Sequence, residues 1–142
     1  TTMNYGEFLS SFLIDLQRLF RVKLTTSDLT YSQILAIISI PDSGIEMSEL
    51  SSALGLDNST VTRLVMRLED KIWVERKKSQ RDQRVVKVFL THKGVKIQQN
   101  IEKKIDKIGE KLNLEFNEVD KEDLLNSLSS FQWKLKKLFL KN

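Results

Sequence analysis

The stretch Asp57-Asn58-Ser59-Thr60-Val61-Thr62-Arg63-Leu64-Val65-Met66-Arg67-Leu68-Glu69-Asp70 runs on into Lys71-Ile72-Trp73-Val74-Glu75-Arg76-Lys77-Lys78-Ser79-Gln80-Arg81-Asp82-Gln83-Arg84 and then Val85-Val86-Lys87-Val88-Phe89-Leu90-Thr91. Its first third has the pattern of a short capped helix. Asp57 or Asn58 can supply the side-chain oxygen that accepts from the unpaired first-turn N–H groups. Val61, Leu64, Val65 and Leu68 follow at i, i+3, i+4 and i+7 and form one apolar stripe. The other face carries Ser59, Thr62, Arg63, Met66 and Arg67, a set able to reach base edges and phosphate oxygens.

Beyond Glu69 the helical period gives way to two runs of β-branched and aromatic residues separated by the polar segment Ser79 to Gln83. This predicts a basic two-stranded hairpin directly after the helix, the order of a winged helix-turn-helix. Nine Lys or Arg face four acids between Asn58 and Thr91, whereas the rest of the chain carries fourteen against fifteen. The positive charge is therefore concentrated on this helix and hairpin, the electrostatic footprint of a phosphate-binding surface.

Working outward, Gly55 is placed to end a short helix around Ser48 to Leu54, with Leu50, Ala53 and Leu54 inward. The turn Pro41-Asp42-Ser43-Gly44 separates it from a helix that starts at the capping box Thr30-Tyr31-Ser32-Gln33 and runs through Ile40. Two short helices joined by a glycine-containing turn, the second bearing basic residues outward, make a helix-turn-helix. Tyr5 to Lys23 keeps helical spacing on a broad apolar face, too wide to leave in water. After the hairpin, Thr91 can cap a long helix to about Phe116, with Ile101, Ile105, Ile108 and Leu112 as a heptad seam. Asp120 with Asp123 marks a further helix start, and Leu124, Leu128, Phe131, Leu135 and Leu138 carry the seam to the end. Apolar faces on three helices at both chain ends exceed what one small winged-helix unit covers, which points to a second subunit.

Composition narrows the chemistry. A chain of 142 residues, 40% hydrophobic and 30% charged, is ordinary for one domain with a core. No apolar run is long enough to span a membrane and the N-terminus lacks a signal-peptide pattern, so a cytoplasmic protein without a membrane partner is expected. There is no Cys, and His92 is the single histidine; thiolate redox sensing is excluded and no metal site or cofactor is expected. An enzyme is not expected either, because no histidine–nucleophile set, glycine-rich phosphate loop or carboxylate pair stands out. The competing class is a winged helix used as a protein-interaction module, which gives no reason for basic residues on both the helix face and the hairpin.

Leu68-Glu69, Arg76, Asp82-x-Arg84 and Leu90-Thr91-x-x-Gly94, set in this helical frame, resemble the MarR family of bacterial transcriptional regulators over nearly the whole length, from Tyr5 to Leu140. The resemblance implies a mainly α fold with a small two-stranded β-wing and a single MarR-like domain over 1–142. Residues 30–91 would form the winged helix-turn-helix, and residues 4–24 and 92–142 the dimerisation helices. It further implies a homodimer in which the helix from Ser59 to Lys71 enters the major groove of double-stranded DNA, Arg84 reaches the minor groove and Asp82 holds the wing arginine. Such a dimer would bind a pseudo-palindromic operator, as a repressor relieved by a small organic ligand. The chain departs from the family pattern where a glycine usually follows the recognition helix: Ile72 stands there, with Trp73 next. A β-branched residue in a left-handed C-cap is strained, so this helix end either differs locally or costs about 1 kcal/mol or more.

On this reading Ser59, Thr60, Thr62, Arg63 and Arg67 are the candidates for major-groove and phosphate contacts, and Arg81 and Arg84 are the wing contacts oriented by Asp82. Lys77 and Lys78 add nonspecific attraction to phosphate. The family's usual switches are small aromatic acids, cysteine oxidation and metal binding, of which the last two lack their residues here. If the chain is switched at all, what the resemblance leaves is an organic ligand such as a small aromatic acid, with Phe12, Leu16, Tyr31 and Ile34 as apolar walls and Arg18 or Arg21 as counter-charge; the sequence equally allows a regulator controlled only by its own abundance.

Overall fold

Asn4 opens the first helix by accepting the Glu7 N–H at 2.8 Å. In the computed structural model, which describes residues 2–140, the elements run α1 (Tyr5–Leu24), α2 (Tyr31–Ile38), β1 (Ile45–Glu46), α3 (Met47–Leu54), α4 (Asn58–Asp70), β2 (Val74–Lys78), β3 (Val86–Leu90), α5 (His92–Asn113) and α6 (Glu118–Lys136), with a 3-10 turn at Lys137–Phe139. No helix among the described residues is long and apolar enough to cross a membrane.

The local signals decide most helix ends. The α2 capping box is complete: Thr30 Oγ1 accepts the Gln33 N–H at 3.2 Å and Gln33 Oε1 accepts the Thr30 N–H at 3.0 Å. α2 stops at Ile38 rather than Ile40, because the chain turns at Ser39, whose hydroxyl donates to the Leu35 carbonyl at 2.7 Å. Gly55 closes α3 with φ 65°, and Asp57, not Asn58, caps α4. The α6 cap is Asn117, which accepts the Asp120 N–H at 2.9 Å; this corrects the expected start at Asp120. α5 ends at Asn113, three residues before Phe116.

The hairpin pairs as expected, from Val74 opposite Leu90 to Lys78 opposite Val86. A third strand joins it: β1 lies antiparallel to β3, Ile45 opposite Val88 and Glu46 opposite Lys87, so the sheet order is β1-β3-β2. Gly44 leads into β1 at φ 81° against the Phe89 ring, where an added Cβ would lie 2.6 Å from the ring. The two-stranded reading of the wing thus becomes a three-stranded sheet in which β1 ties the α2–α3 turn to the wing.

The chain divides into two compact units, one up to Lys104 and one from Ile105. The first has a true core: Val61, Leu64, Val65 and Leu68 of α4 are buried with Ile34 and Ile37 of α2, Leu50 of α3, Val74 of β2, Val88 of β3 and Ile101 of α5. Ala53, expected inward, is exposed; the buried face of α3 centres on Leu50 and Ser51 instead. Within this unit α1 buries only Leu24. In the second unit α6 buries no residue, and Leu125, Leu128, Trp133 and Leu135 all lie open.

Candidate nucleic-acid interface

The N-terminal turn of α4 is organised by one carboxylate. Asp57 accepts the Thr60 N–H at 2.7 Å and the Ser59 hydroxyl at 2.8 Å. The Thr60 N–H, then the Ser59 and Thr60 hydroxyls and the charge of Arg63 pull its pKa from 3.8 down to about 2. Thr62 donates its hydroxyl to the Asn58 carbonyl at 2.8 Å, and the Arg63 guanidinium reaches Thr60 Oγ1 at 3.4 Å. Ser59, Arg63, Met66 and Arg67 are exposed on the face opposite the buried stripe, with Thr60 and Thr62 half-buried beside them.

At its other end α4 closes in a complete Schellman motif: Trp73 N–H bonds the Leu68 carbonyl at 3.0 Å and Ile72 N–H the Glu69 carbonyl at 2.8 Å. This geometry needs a left-handed residue, and Ile72 supplies it at φ 60°, the one non-glycine among the described residues with positive φ. The helix end therefore keeps the usual geometry and carries the strain. Ile72 is 65% exposed while Trp73 is buried. The start of α5 locks onto this joint. Thr91 Oγ1 donates to the Ile72 carbonyl at 2.6 Å and accepts the Gly94 N–H at 3.0 Å, and the Thr91 N–H donates to the Trp73 carbonyl at 3.0 Å. A Cβ on Gly94 would stand 1.9 Å from that same carbonyl oxygen. The Leu90-Thr91-x-x-Gly94 signature is thus the clamp that fixes the wing's second strand to the end of α4.

The basic residues divide by what they hold. Arg76 pairs with Glu69 at 2.9 Å and joins β2 to the last turn of α4. Lys71 turns inward: its ammonium donates to the Asp28 carbonyl, reaches Gln33 Oε1 at 3.3 Å and lies 4.4 Å from the Trp73 ring centroid. Lys87 donates to the Ser43 carbonyl at 3.2 Å, and Lys77 pairs with Glu75 at 3.1 Å. At the wing tip Asp82 takes Arg84 Nε at 3.1 Å, a terminal nitrogen at 3.3 Å and its backbone N–H at 3.0 Å. The Arg84 side chain, then its backbone N–H, lowers the Asp82 pKa. The side chains of Arg67, Lys78 and Arg81 make no hydrogen bond or ion pair among the described residues, although the Arg81 N–H donates to the Ser79 hydroxyl at 3.2 Å. Between the wing and the helices lies an open groove of about 370 Å³ lined by Ser48 and Ser51 of α3, Asn58 and Thr62 of α4, and Arg76 and Arg84.

Charge counting along the chain made every Lys and Arg equivalent and so missed the inward turn of Lys71 and the pairing of Arg76 with Glu69. It also missed Gln98 on α5, whose amide donates to the carbonyls of Ile37 and Ile40, both at 2.9 Å. Of the residues expected to receive a ligand, Arg21 and Tyr31 come together, the guanidinium 4.4 Å from the ring centroid. Ile34 is fully buried; Phe12 stacks on Phe8 at 5.1 Å and is half-open, as is Leu16. Arg18 lines a shallow hollow along α1 with Asp15, Leu19, Val22 and Lys23. Among the described residues no group of three or more His, Cys, Asp or Glu is placed to hold a metal ion.

Residues 29–86, from the last core residue before α2 to the start of β3, match the sequence pattern of the MarR family. The chain is also 31% identical over 106 residues to the HTH-type transcriptional regulator SarZ of Staphylococcus haemolyticus (strain JCSC1435), covering 74% of this chain and 71% of that relative. The chain belongs to the MarR family. The fold agrees with a MarR transcriptional regulator from Methanosarcina mazei Go1, TM-score 0.79 at 26% identity over 94% of this chain and 99% of that one. It agrees equally with Streptococcus pneumoniae FabT, crystallised in complex with DNA, TM-score 0.78 at 26% identity over 94% and 96% of the two chains. In this MarR-family chain Ile72 holds the left-handed helix end through the bonds to Leu68, Glu69 and Thr91.

Proposed function

We propose that this MarR-family chain is a cytoplasmic, homodimeric, sequence-specific DNA-binding transcriptional regulator acting as a repressor relieved by a small organic acid. The observation that carries the reading is the pairing of two basic surfaces on one clamped frame: the exposed face of α4 with Arg63 and Arg67, and a wing tip with Arg81 and an Asp82-held Arg84. On this reading α4 enters the major groove through Ser59, Thr60, Thr62, Arg63 and Arg67. Arg84 and Arg81 follow the minor groove, and Lys77 and Lys78 attract phosphate. The apolar side chains left open on α1 and α6, among them Leu13, Ile14 and Trp133, support a second subunit covering them. Arg21 over Tyr31 supports a site for an aromatic carboxylate beside α1 and α2. Such a ligand relieves repression only by preferring the DNA-incompetent arrangement, with about 1.4 kcal/mol of preference for each tenfold loss of DNA affinity.

Duplexes selected from random sequence should bind with an affinity that falls steeply with salt, as counterion release requires, and should carry half-sites about 10 base pairs apart. Salt-independent association with a protein partner and no duplex retained would favour the interaction-module reading instead. In sedimentation the intact chain should run as a dimer, and loss of residues 128–142 should give aggregate or unfolded chain, since obligate dimers lack a stable protomer. A soluble folded monomer after that deletion would move the interface elsewhere.

A further inference from the structure

We propose that Asp57 sets the base preference at the start of α4 by committing the Ser59 hydroxyl proton, so that Ser59 meets DNA only as a hydrogen-bond acceptor and selects an exocyclic amino group in the major groove. The inference rests on the DNA-binding reading above and deepens it. A serine hydroxyl has one proton and two lone pairs. Here that proton lies on Asp57 Oδ1 at 2.8 Å. The direction of the bond is unambiguous, because a carboxylate that also accepts the Thr60 N–H at 2.7 Å and is ionised across the physiological range has no proton to give. Bonds to an ionised partner are about twice as strong as neutral ones, so the hydroxyl does not swing freely to donate elsewhere.

Ser59 is exposed on the N-terminal turn of α4, the part of a recognition helix that reaches base edges in helix-turn-helix proteins. The major groove offers the amino groups of adenine and cytosine as donors, and the carbonyl and ring-nitrogen atoms of guanine, adenine and thymine as acceptors. An acceptor-only hydroxyl is complementary to the former and repelled by the latter. It is repelled equally by phosphate oxygens, more so with the Asp57 charge beside it, which removes Ser59 from the phosphate contacts and leaves it to the bases. Thr62 behaves differently: its proton rests on the neutral Asn58 carbonyl at 2.8 Å, a weaker hold from which the hydroxyl rotates at lower cost. The helix start thus carries one fixed reader and one adaptable one.

The test is a coupling measurement on selected duplexes. Sites are selected with the wild-type chain and with Ser59→Ala; at the base pair whose preference Ser59→Ala loses, the amino group is deleted by placing purine for adenine or 2-pyrimidinone for cytosine. Amino deletion should weaken wild-type binding about three- to tenfold, the range of one hydrogen bond, and leave Ser59→Ala binding unaffected. Asp57→Asn keeps a capping oxygen without the charge, so helix content should hold by circular dichroism while the amino-deletion penalty shrinks. An undiminished penalty in Asp57→Asn overturns the role of Asp57. Unchanged preference in Ser59→Ala at every position, or a wild type indifferent to amino deletion, overturns the proposal and leaves the DNA-binding reading standing. A wild type that binds no selected duplex overturns both.

Discussion

The joint at the end of α4 and the tip of the wing both draw on the same family signature, through Thr91 and Gly94 at the one and Asp82 and Arg84 at the other, yet they are built in opposite ways. At the joint, Ile72, Trp73, Thr91 and Gly94 hold one another through backbone carbonyls that come from stretches about twenty residues apart, and Trp73 is buried. At the tip, Asp82 and Arg84 are two residues apart and their pair stands in water, with the Arg84 side chain 91% exposed. The joint is architecture, and its chemistry is used up internally. The tip is surface, ordered just enough to aim a guanidinium outward. The difference teaches that a shared motif does not assign a shared role: the residues of this signature divide into those that position the wing and those that the wing presents.

The largest effect expected from breaking this division is at Gly94. Helix propensity alone favours alanine over glycine by about 1 kcal/mol, but the new Cβ would collide with the Trp73 carbonyl, so Gly94→Ala should destabilise by about 3 kcal/mol in denaturant unfolding. A neutral or stabilising result would mean that the clamp yields. Arg84→Ala should do the converse, weakening DNA binding by about 1 to 3 kcal/mol with little change in melting temperature, because an exposed ion pair contributes at most about 1 kcal/mol. Lys103→Ala, outside the basic segment, serves as the control, and equal effects of the two substitutions would remove the wing from the interface.

Ile72→Gly sharpens the comparison from the joint's side. It relieves a left-handed isoleucine whose side chain is mostly exposed and loses some of that gain to the freer unfolded chain, for a net stabilisation of about 1 kcal/mol. A lower melting temperature would show that the exposed Ile72 side chain is held by something that outweighs the strain. The smallest effect concerns acid. Because the folded Asp57 pKa lies below its ordinary 3.8, the contribution of this cap is present above that value and is lost as pH falls from 3.8 toward about 2. Asp57→Asn should therefore flatten the acid limb of the stability curve within that window, and an unchanged limb would mean that the charge of the cap contributes nothing to it.

What the chain itself determined is everything that neighbours along it can decide. Thr30 and Gln33 form their box, Gly55 takes the left-handed cap, and Val61, Leu64, Val65 and Leu68 bury together, because each depends on contacts within about one or two helical turns. Even Ile72 announced a conflict at the right place, and only the outcome was open. That outcome, together with β1, the inward turn of Lys71, the Gln98 bonds to α2 and the reason Gly94 must lack a side chain, was decided by the tertiary structure. In each case the partner lies far along the chain: Val88 for Ile45, Asp28 for Lys71, Ile37 for Gln98, the Trp73 carbonyl for Gly94. A carbonyl presented by a distant turn has no signature in the residues that meet it, and a charge becomes structural or available only when folding settles whether an acceptor stands beside it.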